Sequence, residues 1–338
     1  MTDITIHSTI DFTPPQLDRL RGVAPNIRVE QHPGAMVDDV PAGLRDRVDI
    51  LYGWGKTVAD GHRYPNLKWL QTHSAGIDTL LDTPLWRSPV VISSLNGIHA
   101  TPIAEHALAL MLAFRWRLPA MQRLQQQAEW PQGRWDIFTH PELRGSTLGI
   151  VGYGAIGREL ARLASALGMR VLAANRSGQR RPFGGYSEPG IGDPAAAIPA
   201  EIYPTSRLPQ MLPHCDYVVL LAPLTPQSRH LLNRETLAAM KPTAYLFNMG
   251  RGPLVDEAAL ADALRQRLIA GAGLDVFETE PLPAGSPLWA LDNAIISPHV
   301  SGFTPHYDER ASELFAANLR RFLNGETLIN QVDKTRGY

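Results

Sequence analysis

The sequence predicts an α/β protein of two domains, each built on a mostly parallel sheet. Three observations carry this. At 338 residues the chain has the length of two ordinary domains. Short β-type runs alternate with helical patches and turn residues along nearly all of it. The alternation also comes in two series, separated by a long apolar helical pattern that starts near residue 101.

In the first series Asp3–His7, Ile27–Gln31, Val48–Tyr52, Trp69–His73 and Val90–Ser94 read as strands, with Pro14, Pro25, Pro33, Pro65 and Pro84 between them. The linking helix takes Thr101 as its cap. Pro102 stands at the first position, where a missing N–H costs nothing, and Glu105 complements the positive end. It is apolar nearly all round to Leu118, which predicts burial between layers or domains. Gln122–Trp135 is polar but carries Trp130 and Trp135, and reads as an exposed excursion that docks elsewhere, a second subunit being a candidate.

The second series gives strands Thr147–Val151, Arg170–Ala174, Tyr217–Leu221, Ala244–Asn248, Ala272–Phe277 and Ala294–Ser297. Helices through Leu167, over Arg234–Met240 and over Glu257–Arg267 connect them. Six strands with helical crossovers suit a doubly wound dinucleotide domain. The Gly- and Pro-rich stretch Ser177–Ser206 exceeds the usual connection and reads as a surface insertion or a lid. A helix at Pro305–Leu323 is expected to return to the first domain. The expected division is therefore residues 1–100, 101–303 and 304–338, the last segment rejoining the first.

Lys+Arg total 32 against Asp+Glu 33, so no polycationic footprint offers itself to nucleic acid or an anionic membrane. The single cysteine, Cys215, excludes an intramolecular disulfide and any multi-cysteine metal site, and most simply packs as a small hydrophobe. His73 and His99 lack ligand-like spacing and no HExxH occurs, so no metal is expected. Glu105-His106 reads as a satisfied buried pair. The first residues lack signal-peptide character, and Ile103–Phe114 is too short and too interrupted to span a bilayer; a cytoplasmic location is expected.

Gly152-Tyr-Gly154-Ala-Ile-Gly157 follows the apolar strand and opens a helix. The first glycine permits the tight turn, the second close approach of a pyrophosphate, and the third helix–strand packing. At the end of the next strand, where a carboxylate would bind both ribose hydroxyls, stand Asn175-Arg176-Ser177, with Arg180 and Arg181 behind. These can donate to a 2′-phosphate, which favours NADP over NAD; the alternative is a solvated arginine with Asn175 serving NAD.

Three further segments follow strands: Asn248-Met-Gly-Arg251-Gly252, Asp275-Val-Phe-Glu278-Thr-Glu280-Pro281, and Ser297-Pro-His299-Val-Ser301-Gly302. With GYGAIG and Ser74-Ala-Gly76-Ile-Asp78, they resemble the signature set of the D-isomer-specific 2-hydroxyacid dehydrogenases, over nearly the whole chain. Within the family it resembles the glyoxylate/hydroxypyruvate reductases and is related to the phosphoglycerate dehydrogenases; a dehydrogenase for another 2-hydroxy acid such as 3-phosphoglycerate is the alternative. The resemblance implies a doubly wound Rossmann nucleotide domain and a flavodoxin-like substrate domain.

Reduction of a small 2-keto acid to the D-2-hydroxy acid needs an anchor for the carboxylate, a proton for the oxygen, and a cofactor. By resemblance Arg251 holds the carboxylate and polarises the ketone, His299 is the acid/base, and Glu280 bonds the other ring nitrogen and fixes its tautomer. The resemblance further implies cofactor contacts from Ala155, Ile156, Ala222, Pro223, Met249, Gly250, Asp275, Ser301 and Gly302. Trp54, Gly55, Ala75 and Gly76 would meet the substrate, the last two through backbone N–H groups; for Trp54 a packed aromatic at the base of its loop is an equal alternative. A homodimer formed through the nucleotide domain is also implied.

Two departures matter. No acidic residue stands at position 175, and the Ser177–Ser206 insertion is longer than the family's link and would emerge near the adenosine end. As read, the chain leaves no room after Tyr338 for an additional regulatory domain, which counts against a feedback-regulated phosphoglycerate enzyme. Two competing readings are a formate dehydrogenase, which needs no Glu-paired histidine because formate oxidation moves no substrate proton, and a non-catalytic nucleotide sensor on the same fold.

Overall fold

The computed structural model describes residues 3–337. They divide into two compact units, one made of residues 3–98, 184–188 and 304–337, the other of His99–Phe183 and Pro189–Phe303.

The first unit is a five-stranded parallel sheet with strands β1 (Ile4–Ser8), β2 (Ile27–Gln31), β3 (Val48–Gly53), β4 (Trp69–Thr72) and β5 (Val91–Ser93), in the order β2-β1-β3-β4-β5. This is the flavodoxin order. β3, VDILYG, is buried along its whole length, as a central parallel strand covered on both faces should be. The helix Tyr307–Leu323 covers one face through Phe315, Ala316 and Leu319, which pack with Phe12, Tyr52 and Trp69. It starts two residues later than the sequence predicts, with Asp308 and Glu309 in its first turn opposite the positive helix end.

The second unit holds seven parallel strands: β6 (Thr147–Val151), β7 (Arg170–Asn175), β8 (Glu201–Pro204), β9 (Tyr217–Leu220), β10 (Tyr245–Asn248), β11 (Gly271–Leu274) and β12 (Ala294–Ile296). Their order is β12-β11-β10-β9-β6-β7-β8, doubly wound, with the reversal at β6. β8 lies inside the stretch read as insertion. Its four residues, Glu-Ile-Tyr-Pro, pair with Leu172–Asn175 at the sheet edge, where a proline is tolerated. Six strands were expected; the edge adds a seventh.

The rest of that insertion is tied down. Arg158, on the helix Ala155–Ala166, donates to the carbonyls of Arg181 and Asp193; Tyr153 donates to Asp193 Oδ2 at 2.6 Å; and Gly192 N–H donates to Glu159 Oε2 at 2.7 Å. Residues Gly184–Glu188 belong to the first unit, where Tyr186 N–H bonds Asn330 Oδ1 and Glu188 pairs with Arg310 at 2.9 Å.

The linking helix runs Ala100–Arg115 with His99 as its N-cap, so Thr101 sits inside the first turn rather than capping it. The first turn closes through Ile103 N–H to the His99 carbonyl. Burial is confined to one face (Ile103, Ala104, Ala107, Leu110, Met111), and Leu112 is exposed, which corrects the expectation of an all-round buried helix. Arg117, at φ +51°, breaks it from a second helix, Leu118–Gln126, in which nothing is buried. Trp130 and Trp135 are 77% and 78% exposed. Cys215 fills the space left by Gly149 on β6, and burial pushes its thiol up to about 12, so it acts as a hydrophobe.

One buried group makes the first unit acid-sensitive. His7, on β1, is fully buried, with Nδ1 3.0 Å from the Tyr64 hydroxyl and its ring 5.3 Å from that of His32. Burial and the His32 ring lower its pKa to about 4. The unfolded chain protonates this histidine near pH 6.5 and the folded one does not, so the stability it confers is complete above pH 6.5 and is lost as pH falls towards 4. The difference amounts to about 3 kcal/mol. Urea unfolding at pH 7 and pH 4 should show the wild type losing about that much more than His7→Phe. Equal losses would contradict the assignment.

Candidate active site

Three glycines shape the turn after β6. Gly152, at φ +104°, lies so close to the backbone of Leu221 and Ala222 that a Cβ would collide, which sets Ala222 and Pro223 beside the turn. A Cβ on Gly157 would strike the Gly152 carbonyl. Gly154 differs, because a Cβ there meets nothing within 4 Å. It is the N-cap of the helix Ala155–Ala166, and no side chain caps that end. Packing therefore explains the first and third glycines, whereas the second keeps space clear over uncapped amides at Ala155 and Ile156. That space fits a pyrophosphate. Met249 and Gly250 lie across the turn, with Gly250 against the Ala222 carbonyl.

At the end of β7 the structure revises the expected donors. Asn175 turns inward: Oδ1 accepts from the N–H groups of Ser177 (3.0 Å) and Gly178 (2.7 Å), and Nδ2 donates to the Gln179 carbonyl. It builds the turn instead of donating outward, because an Asn side chain satisfies exposed backbone groups two and three residues on. Arg180 is spent as well, on the carbonyls of Ala196, Pro199 and Ala200. Arg176 and Ser177 stay on the exposed turn.

The expected catalytic residues lie beyond the C-terminal ends of β10, β11 and β12, which are neighbours in register, Asn248 beside Leu274 and Leu274 beside Ile296. Gly252 rests on the backbone of Phe277 and Glu278 so closely that no Cβ fits, which seats the Arg251 turn on the loop leading to Glu280. Asn248 Nδ2 holds the Arg251 carbonyl at 2.9 Å. Glu280 Oε1 accepts from Phe277 N–H, and Glu280 Oε2 lies 2.7 Å from His299 Nδ1. A carboxylate only accepts here, so Nδ1 carries the hydrogen and Nε2 is left for other chemistry.

His299 has φ +54°, a region that non-glycine residues seldom adopt. Asp275, fully buried, spans the loop that imposes it: Oδ1 accepts from Ser297 Oγ (2.6 Å) and Val300 N–H (3.0 Å), and Oδ2 from Ser301 N–H (3.0 Å). Gly302 leaves room for the ring of His99. The presumed Glu105-His106 pair does not exist as such: Glu105 is exposed, and His106 Nε2 lies 3.1 Å from Ser297 Oγ.

Trp54, Gly55, Ala75 and Gly76 belong to the first unit. Among the described residues, neither the Ala75 nor the Gly76 amide donates to a backbone carbonyl. Ser74 Oγ donates to the Gly76 carbonyl, and Leu95 N–H to that of Ser74. The exposed Trp54 ring stands edge-on to His73 at 6.1 Å. His73 was set aside in the sequence, yet it organises this corner. Tyr52, which burial keeps protonated, donates to Nδ1 at 2.6 Å; Nε2 faces Asp308; and the Tyr307 hydroxyl donates to the His73 carbonyl. Burial lowers the His73 pKa against the opposing pull of Asp308. Among the described residues no group of three His, Cys, Asp or Glu is placed to hold a metal, and no helix is long and apolar enough to cross a membrane.

A doubly wound sheet with open space over the glycine turn at its reversal, and a Glu–His pair at neighbouring strand ends, is the arrangement of a dinucleotide-dependent oxidoreductase. Residues 108–301 match the model of the D-isomer specific 2-hydroxyacid dehydrogenase NAD binding domain. The chain is 33% identical over 334 residues to a glyoxylate reductase of Thermofilum pendens, covering 98% of this chain and 88% of that protein. Among solved structures, a D-isomer specific 2-hydroxyacid dehydrogenase of Xanthobacter autotrophicus in complex with NADPH and MES superposes with TM-score 0.81 at 30% identity, covering 100% of both chains. An NADPH-dependent glyoxylate/hydroxypyruvate reductase of Sinorhizobium meliloti, with NADP and sulfate, gives 0.78 at 26% identity over 99% of this chain and 100% of that one. The chain belongs to the D-isomer specific 2-hydroxyacid dehydrogenase family.

Gly154→Ala tests the cofactor site. The added methyl meets no protein atom, so the melting temperature should stay within about 2 °C while NADPH or NADH binding, read by fluorescence, weakens by roughly tenfold or more. Unchanged binding would show that the gap is not the pyrophosphate site.

Proposed function

We propose that this enzyme reduces a small 2-keto acid of the glyoxylate or hydroxypyruvate class to the D-2-hydroxy acid, with NADPH favoured over NADH and His299 as the acid/base. The observation that carries the reading is the 2.7 Å bond between Glu280 and His299 Nδ1. When bound, the reduced nicotinamide supplies hydride to the carbonyl carbon. Glu280 keeps the Nδ1 hydrogen in place, so the mobile proton resides on Nε2 and passes to the developing alkoxide; in the oxidative direction bare Nε2 takes it back. Arg251 offers its planar fork of donors to the carboxylate and the ketone oxygen. By family resemblance the amides of Ala75 and Gly76 and the Trp54 ring, all on the first unit, are assigned to the substrate.

Cofactor contacts fall to Gly152, Gly154, Ala155, Ile156 and Gly157 at the pyrophosphate, Ala222, Pro223, Met249 and Gly250 along the nucleotide, and Asp275, Ser301 and Gly302 towards the nicotinamide. The preference for NADPH rests on the missing carboxylate at position 175 and on Arg176 and Ser177 at the exposed turn; both solved relatives named above carry NADPH or NADP. Two copies of the chain pair through the segment with exposed Trp130 and Trp135, whose apolar surface is costly to leave in water. Sedimentation should report a dimer that Trp130→Glu dissociates; a monomeric wild type would contradict it. A buried free thiol and balanced charge fit a cytoplasmic location.

With glyoxylate and NADPH, His299→Ala should lower kcat by about 10²–10⁴. In the same assay Arg176→Ala should raise the KM for NADPH by roughly tenfold and leave that for NADH within about twofold. Retained turnover without His299 would remove its proton role, and equal KM changes for both cofactors would remove the 2′-phosphate role of Arg176.

A further inference from the structure

We infer that His106 is a positioning residue for His299, acting through Ser297 and Asp275; the inference rests on the reading of His299 as the acid/base group. Ser297 Oγ lies 2.6 Å from Asp275 Oδ1 and 3.1 Å from His106 Nε2. A hydroxyl has one hydrogen. Given to the carboxylate, it leaves Oγ only as an acceptor towards His106, so Nε2 carries a hydrogen and the bonds run in one direction, His106 to Ser297 to Asp275. The carboxylate in turn gathers Val300 N–H and Ser301 N–H, the two amides that follow His299. Those contacts hold His299 in its left-handed backbone conformation.

Ser297 has a competing acceptor. The Leu274 carbonyl stands 3.5 Å from Oγ, at the limit of a hydrogen bond. The donor on His106 fixes the hydroxyl rotamer that serves Asp275. Without it the hydroxyl is released towards Leu274, Asp275 loses one of three donors, and the loop carrying His299 loosens. Packing alone does not demand an imidazole here. The helix buries Ile103, Ala107 and Leu110, and His106 is half-buried at the margin of that face, where leucine would fill comparable volume.

The test uses His106→Leu, His106→Gln, Ser297→Ala and the double variant His106→Leu/Ser297→Ala, assayed as full chains with glyoxylate and NADPH. His106→Leu should lower kcat about tenfold while the KM for glyoxylate and for NADPH moves less than about twofold, and should displace the pH profile of kcat. His106→Gln, whose amide N–H reaches nearly the place of Nε2–H, should recover at least half of the lost rate. The double variant should be no slower than Ser297→Ala, since both changes break one chain of bonds. Full activity in His106→Leu, additive losses, or a rate loss that Gln fails to rescue would overturn the inference. If the wild type turns over no 2-keto acid, the functional reading fails by itself. The positioning claim is then decided by the His299 ring resonances in nitrogen-15 NMR, which should shift in His106→Leu and return in His106→Gln; identical spectra in all three proteins would overturn it.

Discussion

Asp275 carries a charge-capable group fully out of water, and every donor it receives comes from the same short loop after β12. A buried carboxylate is costly unless its oxygens are satisfied, so the end of β11 and the loop of His299 stand or fall together. The left-handed backbone of His299, sparsely populated for an ordinary residue, persists because these bonds over-determine it. Glu280 completes the arrangement from the other side by fixing the ring. The His299 imidazole is thus placed by two carboxylates with separate tasks: Asp275 orders the backbone, Glu280 the tautomer.

The nucleotide turn shows the same economy. Tyr153, between the first two glycines of the motif, donates to Asp193 and so anchors the long insertion beside the helix that starts at the glycine turn. Arg158 and Glu159, on that helix, hold the insertion's backbone as well. The insertion is thus irregular but held in place, and its last part adds β8 to the sheet edge.

Most of the second unit was legible because its signals are local. A glycine turn after an apolar strand, and strands that end in Arg, Glu and His, can be read in one pass along the chain. What escaped depends on partners remote in sequence. β8 is four residues amid glycines and prolines and becomes a strand only by pairing with β7. Asn175 and Arg180 look like outward donors until the backbone carbonyls and amides they serve come into view. His106 was paired with its neighbour Glu105 because its partner Ser297 follows a strand far along the chain, and His73 gave no hint of Asp308 or Tyr307, which arrive from the C-terminal helix. Helix starts moved by one or two residues, since His99 supplies the capping geometry that Thr101 was expected to give.

The proposed roles of His299, Arg251 and Arg176 all depend on reduction of a small 2-keto acid. The most direct measurement is the loss of reduced-nicotinamide absorbance with glyoxylate, hydroxypyruvate, pyruvate and phenylpyruvate, each with NADPH and with NADH, followed by chiral analysis of the product from hydroxypyruvate. Fastest turnover is expected for glyoxylate and hydroxypyruvate with NADPH, with a D product from hydroxypyruvate. Turnover confined to phenylpyruvate, an L product, or tight cofactor binding with no turnover of any acid would contradict that expectation.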